Sequence, residues 1–297
     1  MALGSLRVVS LCAKITMVSM GNLIWLASYP KSGNTWMRAF LTNLMTNAER
    51  PAGINELGTV TVGDSEPRRY EHLSGKKASE LEAVAVATLR LQVQAQIAAE
   101  SPYTRFVKIH SAMMQTAGQP CVNMQVTAGA IYIVRNPLDV VLSFSHHLGS
   151  SVDDVIGLMA RNNAVTDSTP IAVSELIGSW TQHVASWTAK HNPALHVVRY
   201  EDMLQSPQSA FGNVAKFLQL DAPRARIERA VRHASFKVLR NQEKWNGFQE
   251  RSEHADHFFR SGTAGGWRKE LTPDQVRAIV SVHSEQMARF GYVPEGY

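Results

Sequence analysis

Cysteine is nearly absent. The 297 residues carry only Cys12 and Cys121, too few to staple a fold together and in keeping with a reducing, cytoplasmic setting. Long apolar runs are missing as well. None approaches the roughly 20 residues needed to cross a bilayer, so no membrane contact is expected. No Lys/Arg block forms a nucleic-acid arm, no Cys/His spacing forms a zinc finger, and no nucleic-acid partner is expected. The phosphate-loop pattern Gly-x-x-x-x-Gly-Lys-[Ser/Thr] does not occur. His254-Ala255-Asp256-His257 lacks the Glu of a His-Glu-x-x-His helix, so no metal is expected either. Internal repeats and low-complexity tracts are absent.

What the chain does have is a 44% hydrophobic content and a formal net charge of +5. The first supports a substantial core; the second suits an anionic ligand. Residues 1–20 are mildly apolar but are interrupted by Arg7 and Lys14. They lack the unbroken apolar centre of a signal peptide and read as a flexible leader before one domain at 21–297. Apolar β-rich runs at Leu23–Ser28, Arg105–Ile109, Ala130–Val134 and His196–Arg199 alternate with helical patterns, which predicts an α/β fold with a central parallel sheet flanked by helices. The helices fall at Thr35–Met45, Leu138–His146, Asp153–Asn162, Ser174–Lys190, Pro207–Leu218, Arg224–Ala234 and Pro273–Phe290. Ser79–Glu100 alternates like a strand but has the composition of a helix, and is assigned as helix. Glu49–Lys76, part of Gly149–Pro170 and Asn241–Gly266 read as irregular loops, the usual material of lids and binding loops.

Four segments could carry chemistry. Tyr29-Pro30-Lys31-Ser32-Gly33-Asn34-Thr35-Trp36 joins an apolar strand to a helix. A Gly-containing loop there aims backbone N–H groups and a helix N-terminus at one point, and Lys31 adds a full positive charge, so the loop is suited to a phosphate. Arg135-Asn136-Pro137 repeats the strand-turn-helix theme, with Ser143 two helical turns on; an Arg fork and a hydroxyl can clamp a second anion. The plainer alternative is an Arg135 neutralised by Asp139 and a solvated Ser143. Lys108 and His110 alternate onto one face of a strand and reach its end, where open α/β sheets bind ligands. Finally, Phe258-Phe259-Arg260-Ser261-Gly262-Thr263-Ala264-Gly265-Gly266-Trp267-Arg268 is Gly-rich, basic and aromatic, like a flap over an anion.

Taken together, from about Asn22 to Tyr292, these segments resemble the cytosolic-type sulfotransferases that use 3′-phosphoadenylyl sulfate (PAPS). The resemblance implies a P-loop-like domain and transfer of a sulfuryl group from PAPS, as co-substrate, to a hydroxyl or amine of a small-molecule acceptor. It also implies residue roles. Lys31 and the loop N–H groups of Ser32, Gly33, Asn34 and Thr35 hold the 5′-phosphosulfate, and Trp36 stacks on adenine. Arg135 and Ser143 grip the 3′-phosphate, over which Arg260 and Gly262 close. Tyr200 and Phe236 flank the base. His110 is the general base, and Lys108 aids Lys31 in stabilising the leaving phosphate. The chain departs from the pattern at Asn34 and Ala234, where Thr is commoner, and at Ser261, where Lys is common. The C-terminal Lys-x-x-x-Thr-Val dimer motif has no counterpart, so a homo-oligomer is left open without support from it. His146, His147, Phe144, Met113, Met114 and Trp245 are candidates for lining the acceptor pocket. Two other readings stand beside this one: an ATP-dependent phosphotransferase on the same loop geometry, and a non-catalytic nucleotide- or nucleic-acid-binding protein, in which the Lys108–His110 pair has no task.

Overall fold

The computed structural model describes residues 22–297; the leader assigned to residues 1–20 lies outside them. Five strands, β1 (Leu23–Ser28), β2 (Thr61–Gly63), β3 (Arg105–Ile109), β4 (Thr127–Val134) and β5 (Leu195–Arg199), form one sheet in the order β2-β3-β1-β4-β5. Every pairing is parallel, with Ala27 opposite Ile109 on one side and Ser28 opposite Ile133 on the other. All six residues of β1 are buried. Alternation then splits the core in two: Leu23, Trp25, Ala27, Tyr132 and Val134 face one layer of helices, and Ile24, Leu26, Ile131 and Ile133 face the other.

The helices are α1 (Asn34–Thr46), α2 (Pro67–Ser74), α3 (Ala83–Ala99), α4 (Pro137–Leu148), α5 (Val152–Ala160), α6 (Trp180–Thr188), α7 (Tyr200–Gln205), α8 (Pro207–Phe217), α9 (Arg224–His233), α10 (Phe236–Asn246), α11 (Trp267–Glu270) and α12 (Pro273–Arg289). Among the described residues, none is long and apolar enough to cross a membrane. The chain leaves β1 towards β2 and leaves β4 towards β5. Strands exiting in opposite directions open a crevice at their carboxyl ends, and both phosphate-type loops lie there.

The four predicted strands are present, two with the expected bounds. The edge strand β2 and α2 lie inside the segment expected to be irregular, where three residues of strand are too short for a periodic signal. The helix expected from Ser174 starts only at Trp180. Gly178 takes φ +60°, and Ser179 caps the helix reciprocally with Gln182, so Ser174–Ile177 run outside it. α3 is a helix, as its composition indicates: its buried Val86, Arg90, Val93 and Ile97 recur every three or four residues.

Two core histidines make stability pH-dependent. His183 donates from Nε2 to the His110 carbonyl at 3.0 Å and accepts from the Tyr132 hydroxyl at 2.8 Å on Nδ1. His283 meets Thr181 at 2.9 Å. Burial pushes them down to about 3 and about 4 respectively. Between about pH 6.5 and 4 the unfolded chain takes up these protons and the folded chain does not. The melting temperature is therefore expected to fall steadily from about pH 7 to about pH 4.5; a flat profile over that window would contradict neutral core imidazoles.

Candidate active site

The turn after β1 is tight. Lys31 (φ +66°) and Gly33 (φ +105°) both take left-handed backbone. Gly33 is required by space as well, because a Cβ there would stand 2.7 Å from the Tyr200 ring. The Asn34 side chain donates to the Leu26 carbonyl at 2.8 Å and to Ser28 Oγ at 3.3 Å, tying the start of α1 to β1. Ser32 Oγ, Asn34 Oδ1 and Trp36 Nε1 are buried without a protein partner, polar groups of the kind a ligand satisfies. Trp36 stands edge-on to Tyr200 and Phe211, with centroids 5.7 and 5.5 Å away.

Arg135 closes β4 and reaches across the crevice. Its Nη1 donates to the Lys31 carbonyl at 2.9 Å and its Nη2 to the Thr263 carbonyl at 3.4 Å. The guanidinium lies 4.2 Å from the Tyr200 ring centroid, and Nε is buried without a partner. The two strand ends and the Gly-rich segment thus meet at one residue. Ser143 is half-buried two turns into α4. Asp139 does not serve as Arg135's counterion. It accepts the flap amides of Gly265 (2.7 Å) and Trp267 (3.2 Å) instead. Glu243 fixes the other end of the flap through the amides of Phe258 and Phe259, at 2.6 and 2.9 Å. Gly262 (φ +60°) lies so close to Phe236 that a Cβ would fall 2.3 Å from its ring. Arg260 is half-buried and paired with Glu270 at 3.4 Å.

His110 follows β3. Its Nδ1 lies 2.8 Å from the Ser28 carbonyl and must carry the proton in that bond, which leaves Nε2 as a bare acceptor. Its N–H donates to Glu175 at 2.9 Å. Burial, then Lys108, hold the imidazole down at about 3, so it is neutral across the physiological range. Burial, then Lys108 and Arg135, bring Lys31 down to about 7; its ammonium lies 4.0 Å from the centroid of Phe258.

A family model described as "Sulfotransferase domain" matches residues 22–291. The chain belongs to the sulfotransferase family. Sulfotransferase 1B1 of the dog, Canis lupus familiaris, is 27% identical over 272 residues, covering 89% of this sulfotransferase and 83% of the relative. The crystal structure of mouse sulfotransferase SULT7A1 complexed with PAP superposes with a TM-score of 0.59 at 21% identity, covering 96% of this chain and 89% of that one. Retinol dehydratase in complex with androsterone and inactive cofactor PAP gives 0.63 at 18% identity, covering 95% and 85%. Both share the fold.

Several polar residues around this sulfotransferase's crevice are not singled out by the sequence: Glu175, Glu243, Glu250 and Arg38. Glu250 accepts Arg38 at 2.6 Å and Lys108 at 3.2 Å. Burial pushes its carboxyl up, but Lys108 and Arg38 outweigh that and hold it at about 2. Two candidates for the acceptor pocket differ in exposure. Phe144 packs in the core edge-on to Tyr29, and Trp245 is 78% exposed beside Lys244. Burial, then Lys31 and His110, lower the His147 imidazole to about 3.

Proposed function

We propose that this sulfotransferase moves the sulfuryl group of PAPS to a hydroxyl or amine of a small-molecule acceptor, with His110 as general base. The observation that carries the reading is the Arg135–Lys31 contact. It joins two anion-type sites into one crevice, and unpartnered donors lie on both sides of the contact. One end suits the 5′-phosphosulfate, held by Lys31 and the Ser32–Thr35 turn. The other suits the 3′-phosphate, held by Arg135, Ser143 and the flap with Gly262 and Arg260. Trp36, Tyr200 and Phe236 supply the aromatic walls for the base. The PAP in two fold neighbours fits this assignment.

In the reaction the acceptor oxygen or nitrogen attacks sulfur, and the bond from sulfur to the bridging phosphate oxygen breaks. The acceptor proton goes to His110 Nε2. The products are the sulfated acceptor and adenosine 3′,5′-bisphosphate. Lys31, with Lys108, stabilises the charge growing on the leaving oxygen, where such preorganised groups matter most. A cytoplasmic setting belongs to the same reading; Cys121 is a buried free thiol.

The test is mass-spectrometric screening of a mixed acceptor library with PAPS, paired with calorimetry using the bisphosphate. Transfer of an 80-dalton sulfuryl group (about 80, by its atoms) and bisphosphate binding are expected. Stabilisation by ATP–magnesium with no response to the bisphosphate would overturn the reading. Arg135→Ala is expected to weaken bisphosphate binding roughly 30-fold, the scale of charged hydrogen bonds, and to change kcat at saturating donor by only about threefold. Unchanged bisphosphate affinity would remove Arg135 from the 3′ site.

A further inference from the structure

The segment between α10 and α11 reaches both lysines of the crevice. The Phe258 ring covers Lys31 and the Glu250 carboxylate holds Lys108. Glu250 is fixed from behind. Arg38, buried in α1, bonds both of its oxygens at 2.6 and 2.9 Å and is itself anchored to Thr61 of β2 at 2.9 Å. Lys108 is 26% exposed and Glu250 30%, so the pair lies at the edge of the crevice, within reach of an entering ligand. Without Glu250, the cations Arg38 and Lys108 would share one corner uncompensated, with Lys31 close enough for Lys108 to perturb it. A carboxylate there occupies the kind of position that an incoming sulfonate, also a monoanion with oxygen acceptors, would compete for.

We propose that Glu250 is a positioning residue acting through Lys108: its carboxylate, braced by Arg38, holds the ammonium in the resting enzyme and yields it to the sulfonate of the donor. The proposal rests on the PAPS reading above. It explains why an acid from a distant loop sits among the crevice's cations, and it makes the 250–258 segment a self-placed occupant that donor binding must move.

Calorimetry with PAPS, in the absence of acceptor, tests it. Glu250→Gln removes the competing charge while keeping the shape. Its affinity for PAPS is expected to rise about fivefold, the equivalent of ~1 kcal/mol for a partly exposed ion pair. Adenosine 3′-monophosphate, which lacks the 5′ anion, should bind both proteins alike. On a Lys108→Met background the Glu250→Gln gain should vanish, since coupled residues do not add. Glu250→Asp, still charged, should stay within about twofold of the parent. Should the Gln protein not fold, Glu250→Ala carries the same expectation. Unchanged or weaker PAPS binding by the uncharged variants, or a gain that survives Lys108→Met, overturns the proposal. Failure of the unaltered enzyme to bind PAPS at all overturns the donor reading instead, and this proposal with it.

Discussion

His110→Ala is expected to lower turnover by about 10³-fold or more while the bisphosphate still binds within about twofold of the parent. The reason lies in how the imidazole is held. Its Nδ1–H is committed to the Ser28 carbonyl at 2.8 Å, its backbone N–H to Glu175, and its carbonyl to His183. Only Nε2 is left to accept a proton. Alanine removes that acceptor while sparing the backbone bonds to Glu175 and His183, so the fold and the nucleotide crevice should survive. The pH profile adds a second reading. Burial first, then Lys108, hold His110 at about 3. The neutral base therefore persists as pH falls, and kcat/KM should show no acid limb near the ordinary histidine value of about 6.5. Near-normal turnover by purified His110→Ala, with bisphosphate binding intact, would transfer the base role to another group; His147 is the imidazole to try next.

The candidate site's skeleton is legible in the sequence because its parts are local. β1 is an apolar run buried on both faces, and the turn that follows it needs a glycine at Gly33 and begins a helix at once. Those are short-range constraints, readable from a dozen residues. What the sequence hid is long-range. Glu250 lies 142 residues from Lys108 and 212 from Arg38, and Asp139 lies 126 from Gly265. No local pattern marks these acids as partners of loops that far away. Asp139 shows the cost of reasoning locally: a nearby Arg135 makes it look like a simple counterion, whereas its carboxylate holds the flap. Ser174–Ile177 fails for a similar reason. Its polar and apolar residues permit a helix, but the Ser174 carbonyl is taken by Arg90 at 2.5 Å, and Gly178 turns the chain before α6 can begin.

Lys31→Met should be the second severe substitution, with turnover lower by about 10²–10³-fold, the usual scale for removing one preorganised charge from a transition state. Met keeps the length of the stem and deletes only the ammonium. The accompanying binding experiment distinguishes charge from shape. Burial and the neighbouring Lys108 and Arg135 place Lys31 at about 7 in the free enzyme, so much of it is neutral at pH 8. An arriving phosphate favours the ammonium form. Binding of the bisphosphate at about pH 8, where its own phosphates are fully ionised, should therefore draw a proton from solution, and affinity should weaken as pH rises through 7. Calorimetry in Tris and in HEPES, whose ionisation enthalpies differ, reads that uptake directly as a buffer-dependent heat. In Lys31→Met the buffer dependence should disappear and the pH dependence flatten. Equal proton uptake by parent and Met variant would mean that Lys31 keeps the same protonation in the free and bound enzyme, and that another group near the crevice takes up the proton.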